Sequence, residues 1–260
     1  MRIVVKVGSN VLARADGRLC IARMAELVDQ VAALCEQGHQ VAIVTSGAVA
    51  AGRAQVALPK TVERVARRQV LSAVGQAILI DTYRTLFSAD GLDVGQILLT
   101  KCDFATAEQT ANIRQCIAAF FAYGIVPVIN ENDTVSVESL MFTDNDELAG
   151  QLAGLIEADL LIILSSIDGL YTGDPADPAS RLITQVAPGE DLASHVASSK
   201  TSQGRGGMGT KLHVASATAA RGIETVIANG FRHNILADVV SRGDQPCTRF
   251  LPARGVNATR

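Results

Sequence analysis

Short runs that are apolar at nearly every position recur along this chain, and stretches with helical spacing lie between them. Arg2–Val7 (RIVVKV), 41–45 (VAIVT), 93–100 (DVGQILLT), 125–129, 159–165 (DLLIILS) and 224–228 read as strands, with a last one near 247–251. A strand with one wet face alternates apolar and polar residues. Runs that do not alternate suit parallel strands covered on both faces. Residues 21–36 repeat Ile21, Met24, Val28, Val31 and Leu34 at helical spacing, and Gly38 closes the segment. Residues 62–87 have a helical period, with a break expected near Gly75. Thr106 and Gln109 form the pattern of a capping box opening a helix to about Tyr123. Thr143 and Asp146 form a second, opening a helix to about Glu157. A further helix is expected over about 210–221, a hairpin-like excursion over 134–142, and edge pairing over 181–186. The alternation predicts an α/β chain, a three-layer αβα sandwich with a mainly parallel open sheet. With no internal repeat or linker in sight, residues 1–260 read as one domain, with lobes of about 1–150 and 151–260.

In open α/β sheets, ligands bind beyond the carboxyl ends of strands, and the polar clusters of this chain fall there repeatedly. Lys6, Gly8 and Ser9 end the first strand, and Ser46 and Gly47 end the second. The 125–129 run spills into Asn130, Glu131, Asn132, Asp133 and Thr134, and Asp144, Asn145 and Asp146 follow at a helix start. Ser165 and Ser166 end another strand. Each cluster has a plain alternative, because Asp, Asn and Ser also favour turns and helix caps. Lys6 is the sharpest single residue. A cation in an apolar strand is costly unless it meets an anion, so it either snorkels from the strand end or points at phosphate. Residues 204–211 (GRGGMGTK) match G-x-G-x-x-G literally, but a polar loop precedes them where a dinucleotide fingerprint needs a strand. Their Thr-Lys order also excludes a Walker A loop. What remains is a set of backbone amides and a lysine at a helix N-terminus, which together make an anion cradle. Residues 168–175 are either a turn or a wall for a nucleotide base, with Tyr171 as its contact. His213 reads as a surface or packing residue, and Cys35 and Cys116 as core.

Composition excludes several classes. The net charge of −3 argues against nucleic acid as a partner. Five cysteines without a Cys-x-x-Cys pair, and four histidines scattered apart from them, argue against a disulfide framework or a zinc site. They favour reduced thiols in the cytoplasm. No apolar run reaches the length of a membrane span, and residues 1–7 already read as strand rather than as a signal peptide.

The ordered set 5–9 (VKVGS), 44–48 (VTSGA), 95–100 (GQILLT), 127–133 (PVINEND), 144–146 (DND), 169–175 (GLYTGDP) and 206–211 (GGMGTK) resembles the amino acid kinase family from residue 3 to about 251. Within the family it is most similar to the branch that phosphorylates the side-chain carboxylate of L-glutamate. The resemblance implies an enzyme that uses ATP and Mg²⁺, with Mg²⁺ held mainly through ATP rather than by protein ligands. It makes an acyl phosphate, the first step toward proline, for a downstream glutamyl-phosphate reductase. It also implies a homo-oligomer and the short form of the family, without a C-terminal PUA domain.

Carried over by position, Lys6 and Lys211 grip the transferring phosphoryl group and Asp146 holds both lysines. Ser46, Gly47, Asp133, Asp144 and Asn145 bind glutamate. Gly8, Ser9, Ser165, Ser166, Arg205, Gly206, Gly207, Met208, Gly209 and Thr210 join the two lysines around ATP. Two positions depart from the family pattern. Ser166 stands where many relatives carry an acid, and Arg205 where a threonine is common. Other branches, acting on aspartate, N-acetylglutamate or a nucleoside monophosphate, and a non-catalytic nucleotide-binding protein of the same fold, are the alternatives. A free α-ammonium calls for an acid such as Asp133, which an acetylated or nucleotide substrate does not.

Overall fold

A computed structural model describes residues 1–14, 16–135, 144–190, 192 and 207–253. The chain forms two compact units, one of Val7–Phe142 and the other of Met1–Lys6 with Thr143–Arg260. All of the first strand but Val7 thus belongs with the C-terminal residues.

In the Val7–Phe142 unit, β2 (Gln40–Val44), β3 (Val94–Leu99) and β4 (Val126–Glu131) pair in the order β3-β4-β2, all parallel. Pro127 lacks a donor, and the ladder between β2 and β4 begins only at Val128, opposite Ile43. Every residue of β4 is buried, including Asn130 and Glu131 at its end. The strand thus runs two residues beyond the apolar stretch. Helix α1 (Ser9–Leu12) is a single turn, and α2 (Ile21–Glu36) matches its expected span. Ile21, expected on the apolar face, is instead exposed.

Helix α3 (Ala48–Gln55) had no periodic signal, and α4 (Arg64–Ala89) runs unbroken through Gly75. The break expected there is absent because the glycine serves packing. A Cβ built on Gly75 would lie 1.7 Å from the Ala48 carbonyl oxygen, and one on Gly52 would lie 1.9 Å from that of Leu71. The two helices therefore meet backbone to backbone. Helix propensity alone favours Gly75→Ala by about 1 kcal/mol. The clash is with rigid backbone, and overpacking of that kind costs about 1–3 kcal/mol or more. We therefore expect Gly75→Ala to lower the midpoint of thermal unfolding, measured by circular dichroism.

Glu63 caps α4, its carboxylate accepting from the amides of Val65 and Ala66. Helix α5 (Ala107–Ala122) starts at Thr106, which accepts from the Gln109 amide. The Gln109 side chain accepts from the Thr106 hydroxyl rather than returning to its amide, so the box is half formed. A complete capping box stands instead at Thr100 and Asp103. Helix α5 buries only Ile113 and Ile117, which leaves Cys116 exposed rather than in the core; Cys35 is half-buried.

In the other unit, β1 (Arg2–Val7), β5 (Leu160–Ser165), β9 (Glu224–Asn229), β10 (Cys247–Phe250) and β8 (Gln185–Val186) lie in the order β1-β5-β9-β10-β8. Strands β5 and β9 are parallel, β10 runs antiparallel to β9, and β8 pairs parallel to β10 at the edge. Strands β6 (Leu170–Tyr171) and β7 (Leu182–Ile183) form a separate antiparallel pair. Strand β5 is buried at all six positions, as a strand covered on both faces must be.

Helices α6 (Asn145–Leu155) and α7 (Met208–Ala220) pack closely, with Gly150 directly against Val214 and Thr218. Helix α7 begins at Met208, two residues earlier than expected, so Met208 and Gly209 belong to the helix. Helix α8 (Ile235–Ser241) is short. The N-cap of α6 is Asp144, not Thr143, and its Oδ1 accepts from the amides of Asp146 and Glu147. Thr143, the excursion over 136–142 and the loop residues 204–206 lie outside the described residues. The chain is thus an α/β protein with a mainly parallel sheet and helices packed on it, as its alternating pattern predicts.

Candidate active site

Three charged side chains from distant stretches meet in the C-terminal unit. Lys6, near the end of β1, places Nζ 2.6 Å from Asp146 Oδ1. Lys211, in the first turn of α7, donates from Nζ to Asp146 Oδ2 at 2.8 Å. Asp146 is the second residue of α6 and is fully buried; the two lysine side chains are 5% and 11% exposed. One carboxylate thus holds two ammonium groups, one on each oxygen. Burial on its own would raise the Asp146 pKa, but Lys6 and Lys211 together outweigh it and hold the carboxyl below its ordinary range. The cluster carries a net charge of about +1 in a largely water-free position, where charge acts strongly on an approaching anion.

Asp144 borders this cluster. Burial, and then the charge of Asp146, push its carboxyl up to about 6, while Lys6 and Lys211 pull the other way. Its Oδ1 caps α6, and its Oδ2 is buried with no hydrogen-bond partner among the described residues. A folded pKa raised above the unfolded one means that the folded state holds the proton more tightly. Stability is therefore lost as pH rises from about 4 through about 6. Asn caps helices about as well as Asp. Asp144→Asn is accordingly expected to unfold at a higher temperature than wild type at about pH 7.5, and the gap should close by about pH 4. Calorimetry at the two pH values checks this.

Asn145, expected to contact substrate, is the first residue of α6 and half-buried. Gly207 is the N-cap of α7, so Gly207, Met208, Gly209, Thr210 and Lys211 lie at the start of a thirteen-residue helix whose free amides face an anion well. Met208 is buried, and His213 is exposed. Ser165 ends β5, its side chain buried and its carbonyl accepting from the Gly230 amide, whereas Ser166 is exposed. Arg205 and Gly206 lie outside the described residues.

The stretch after β5 is more than a turn. Asp168 receives Arg232 on both oxygens, from Nε at 2.7 Å and Nη2 at 2.8 Å, together with Asn229 Nδ2 at 3.0 Å and the Tyr171 hydroxyl at 3.4 Å. The Arg232 hydrogen bonds foremost hold the Asp168 carboxyl below its usual range. Arg232 escaped the sequence reading, because a lone arginine after a strand gives no periodic signal.

The remaining positions lie in the Val7–Phe142 unit. Gly8 precedes α1, and Ser9, its first residue, is exposed. Ser46 follows β2. Gly47 adopts φ 103° and starts α3, a left-handed conformation that suits glycine. The turn is fixed from behind: the buried Tyr83 hydroxyl lies 2.9 Å from Thr45 Oγ1, and burial pushes the phenol up to about 12. Asp133, the acid expected to meet an ammonium, is 6% exposed. Arg68 and Ser72 of α4 already hold it, which the sequence did not reveal.

Among the described residues, no group of three or more His, Cys, Asp and Glu side chains converges as metal ligands, and no helix is long and apolar enough to cross a membrane.

The pattern of the amino acid kinase family matches residues 1–229. The chain is 49% identical over 253 residues to a glutamate 5-kinase of Bacteroides thetaiotaomicron, covering 97% of this chain and 70% of that protein. It is 41% identical over 250 residues to a glutamate 5-kinase of Symbiobacterium thermophilum, covering 96% and 95%. A third glutamate 5-kinase, from Dehalococcoides mccartyi, is 43% identical over 257 residues, covering 97% and 69%. Among solved structures, the UMP kinase from Ureaplasma parvum superposes with a TM-score of 0.66 at 17% identity, over 96% of this chain and 98% of that one. An isopentenyl phosphate kinase gives the same score and identity, over 96% and 100%. At such identities the two structures speak for the fold alone.

Proposed function

The chain belongs to the amino acid kinase family, and on that premise we propose that it is an ATP-dependent glutamate 5-kinase. It phosphorylates the side-chain carboxylate of L-glutamate, the first step toward proline. Identities of 49% and 41% to glutamate 5-kinases, over 97% and 96% of this chain, support the substrate. The observation that carries the chemistry is the Lys6–Asp146–Lys211 cluster.

One oxygen of the substrate carboxylate forms a bond to the γ-phosphorus as the bond from that phosphorus to the β,γ-bridging oxygen breaks, and ADP leaves. The nucleophile is already an anion at neutral pH, so no general base is required. What the reaction needs is alignment, and positive charge around the transferring group. Lys6 and Lys211 supply that charge from opposite sides of one carboxylate, and Asp146 keeps both ammonium groups in place before substrate arrives. The amides at the start of α7 suit the remaining phosphate oxygens. Magnesium keeps several waters and binds largely through phosphates. It would therefore arrive with ATP and offset triphosphate charge, with Asp144 Oδ2 as the available carboxylate oxygen beside the cluster. By family resemblance Ser46, Gly47, Asp133 and Asn145 are the glutamate-binding residues, with Asp133 the acid for its ammonium. The product is an acyl phosphate that water destroys, so a reductase is its expected consumer, in a cytoplasmic setting that suits five unpaired thiols.

The decisive test is incubation with ATP, Mg²⁺, hydroxylamine and one amino acid at a time. Hydroxamate formed only with glutamate is the expected result. Hydroxamate formed with aspartate or N-acetylglutamate, and none with glutamate, sinks the assignment.

A further inference from the structure

Arg68 and Ser72 lie one turn apart on α4, so they share a face. Together they engage the acidic end of β4. Arg68 donates from Nε to Asp133 Oδ1 at 2.8 Å, and Nη2 donates to the same oxygen. Nη2 also reaches Glu131 Oε2 at 3.1 Å. Ser72 Oγ donates to Asp133 Oδ2 at 3.1 Å. The Arg68 side chain is 19% exposed, against 8% for Asp133 and 5% for Glu131. The remaining edge of the guanidinium, Nη1, has no hydrogen-bond partner among the described residues.

An amino acid carries its ammonium and its α-carboxylate on the same carbon. A side chain that receives the ammonium therefore meets the carboxylate within a few ångströms. Next to Asp133 alone, that carboxylate would face like charge and be repelled. Arg68 is the cation in direct contact with Asp133, and a guanidinium fork matches a carboxylate in shape as well as charge. On the reading that Asp133 takes the glutamate ammonium, we propose that Arg68 is a specificity-determining residue that reads the substrate α-carboxylate. Arg68 and Asp133 satisfy each other in the structure. On binding, the substrate zwitterion presents both opposite charges, so each member of the pair gains a new partner and neither is left buried alone.

The test compares wild type with Arg68→Gln for glutamate and for two competing ligands. One is 4-aminobutyrate, which lacks the α-carboxylate; the other is glutarate, which lacks the ammonium. Losing charge-assisted hydrogen bonds should raise the KM for glutamate about 10- to 100-fold, with little change in kcat or in the KM for ATP. Glutarate should weaken in parallel. The inhibition constant of 4-aminobutyrate should hold or fall, because Asp133 is then released from its internal partner. An unchanged KM for glutamate overturns the proposal. So does equal weakening of 4-aminobutyrate, which would mean that Arg68 acts only by holding Asp133. Should the Gln variant not fold, Arg68→Lys, which keeps the charge and loses the fork, is read the same way. A glutamate preference over 4-aminobutyrate equal to that of wild type then overturns the proposal. Glutamate-dependent hydroxamate from wild type is the control. Its absence refutes the glutamate kinase reading itself, whereas its presence beside unaffected Arg68 variants refutes only this inference.

Discussion

Asp146→Asn is expected to abolish measurable turnover and to destabilise the protein by about 3–5 kcal/mol, the range for removing one partner from a buried ion pair. Here the loss strands two ammonium groups, because each oxygen of Asp146 holds one of them. The amide is nearly isosteric, so packing is kept and the effect is electrostatic. One of its two atoms would even present N–H groups to a lysine. A companion variant separates stability from chemistry. Replacing all three members with apolar residues, Lys6→Met, Asp146→Leu and Lys211→Met, removes all three charges of the cluster at once. Such replacements are often neutral or stabilising by about 1–4 kcal/mol. We expect the triple variant to unfold near or above the wild-type temperature while remaining inactive. Chemical denaturation and the hydroxamate assay read the two quantities. A single Asp146→Asn variant as stable as wild type would show that the lysines do not depend on Asp146.

How far the sequence carries such an argument differs from residue to residue. The layered α/β architecture is legible because the buried strands are apolar at nearly every position, as burial on both faces favours. Lys6 is legible for the opposite reason, as a cation inside such a run. Its meeting with Asp146 and Lys211 is not, since Asp146 and Lys211 lie 65 positions apart and no local spacing encodes a contact of that kind. Resemblance to a family supplied the grouping, and the three side chains meet in the structure.

Arg68 illustrates a different limit. It sits beside Arg67 in a helix whose period is clear, yet one arginine turns toward Asp133 and the other toward the carbonyls of Leu58 and Pro59. A charged residue on a helix defaults to solvent in any periodic reading, so an inward arginine is invisible until its carboxylate is placed. The break expected near Gly75 rests on propensity, which treats a mid-helix glycine as a weakness. Its lack of a side chain is what admits the Ala48 carbonyl. The short α3 and α8 gave too few turns for a period to emerge.

Lys211→Met should lower kcat by about 10²- to 10³-fold, equivalent to about 2.7–4 kcal/mol of transition-state stabilisation, while the KM for glutamate changes little. The magnitude follows from what the lysine does. It is held on Asp146 at 2.8 Å, so it costs little to organise when ATP and glutamate meet. Its charge matters most when negative charge spreads over the transferring phosphoryl group. Methionine keeps the stem in its packed position and deletes only the ammonium. Lys6→Met should behave alike, because the two lysines occupy equivalent places on one carboxylate. The double variant decides whether they act as a unit. Independent contributions would multiply to a loss of about 10⁴- to 10⁶-fold, whereas groups that stabilise the same charge lose far less than the product. Each lysine also screens the other's hold on Asp146, so removing one tightens the remaining pair and pulls it toward the carboxylate, away from phosphate. We therefore expect the single variants to be nearly as damaged as the double. Single-turnover measurement of hydroxamate formation gives the three rates. Wild-type kcat in Lys211→Met, or losses that multiply cleanly, would refute a shared grip on the transferring phosphoryl group.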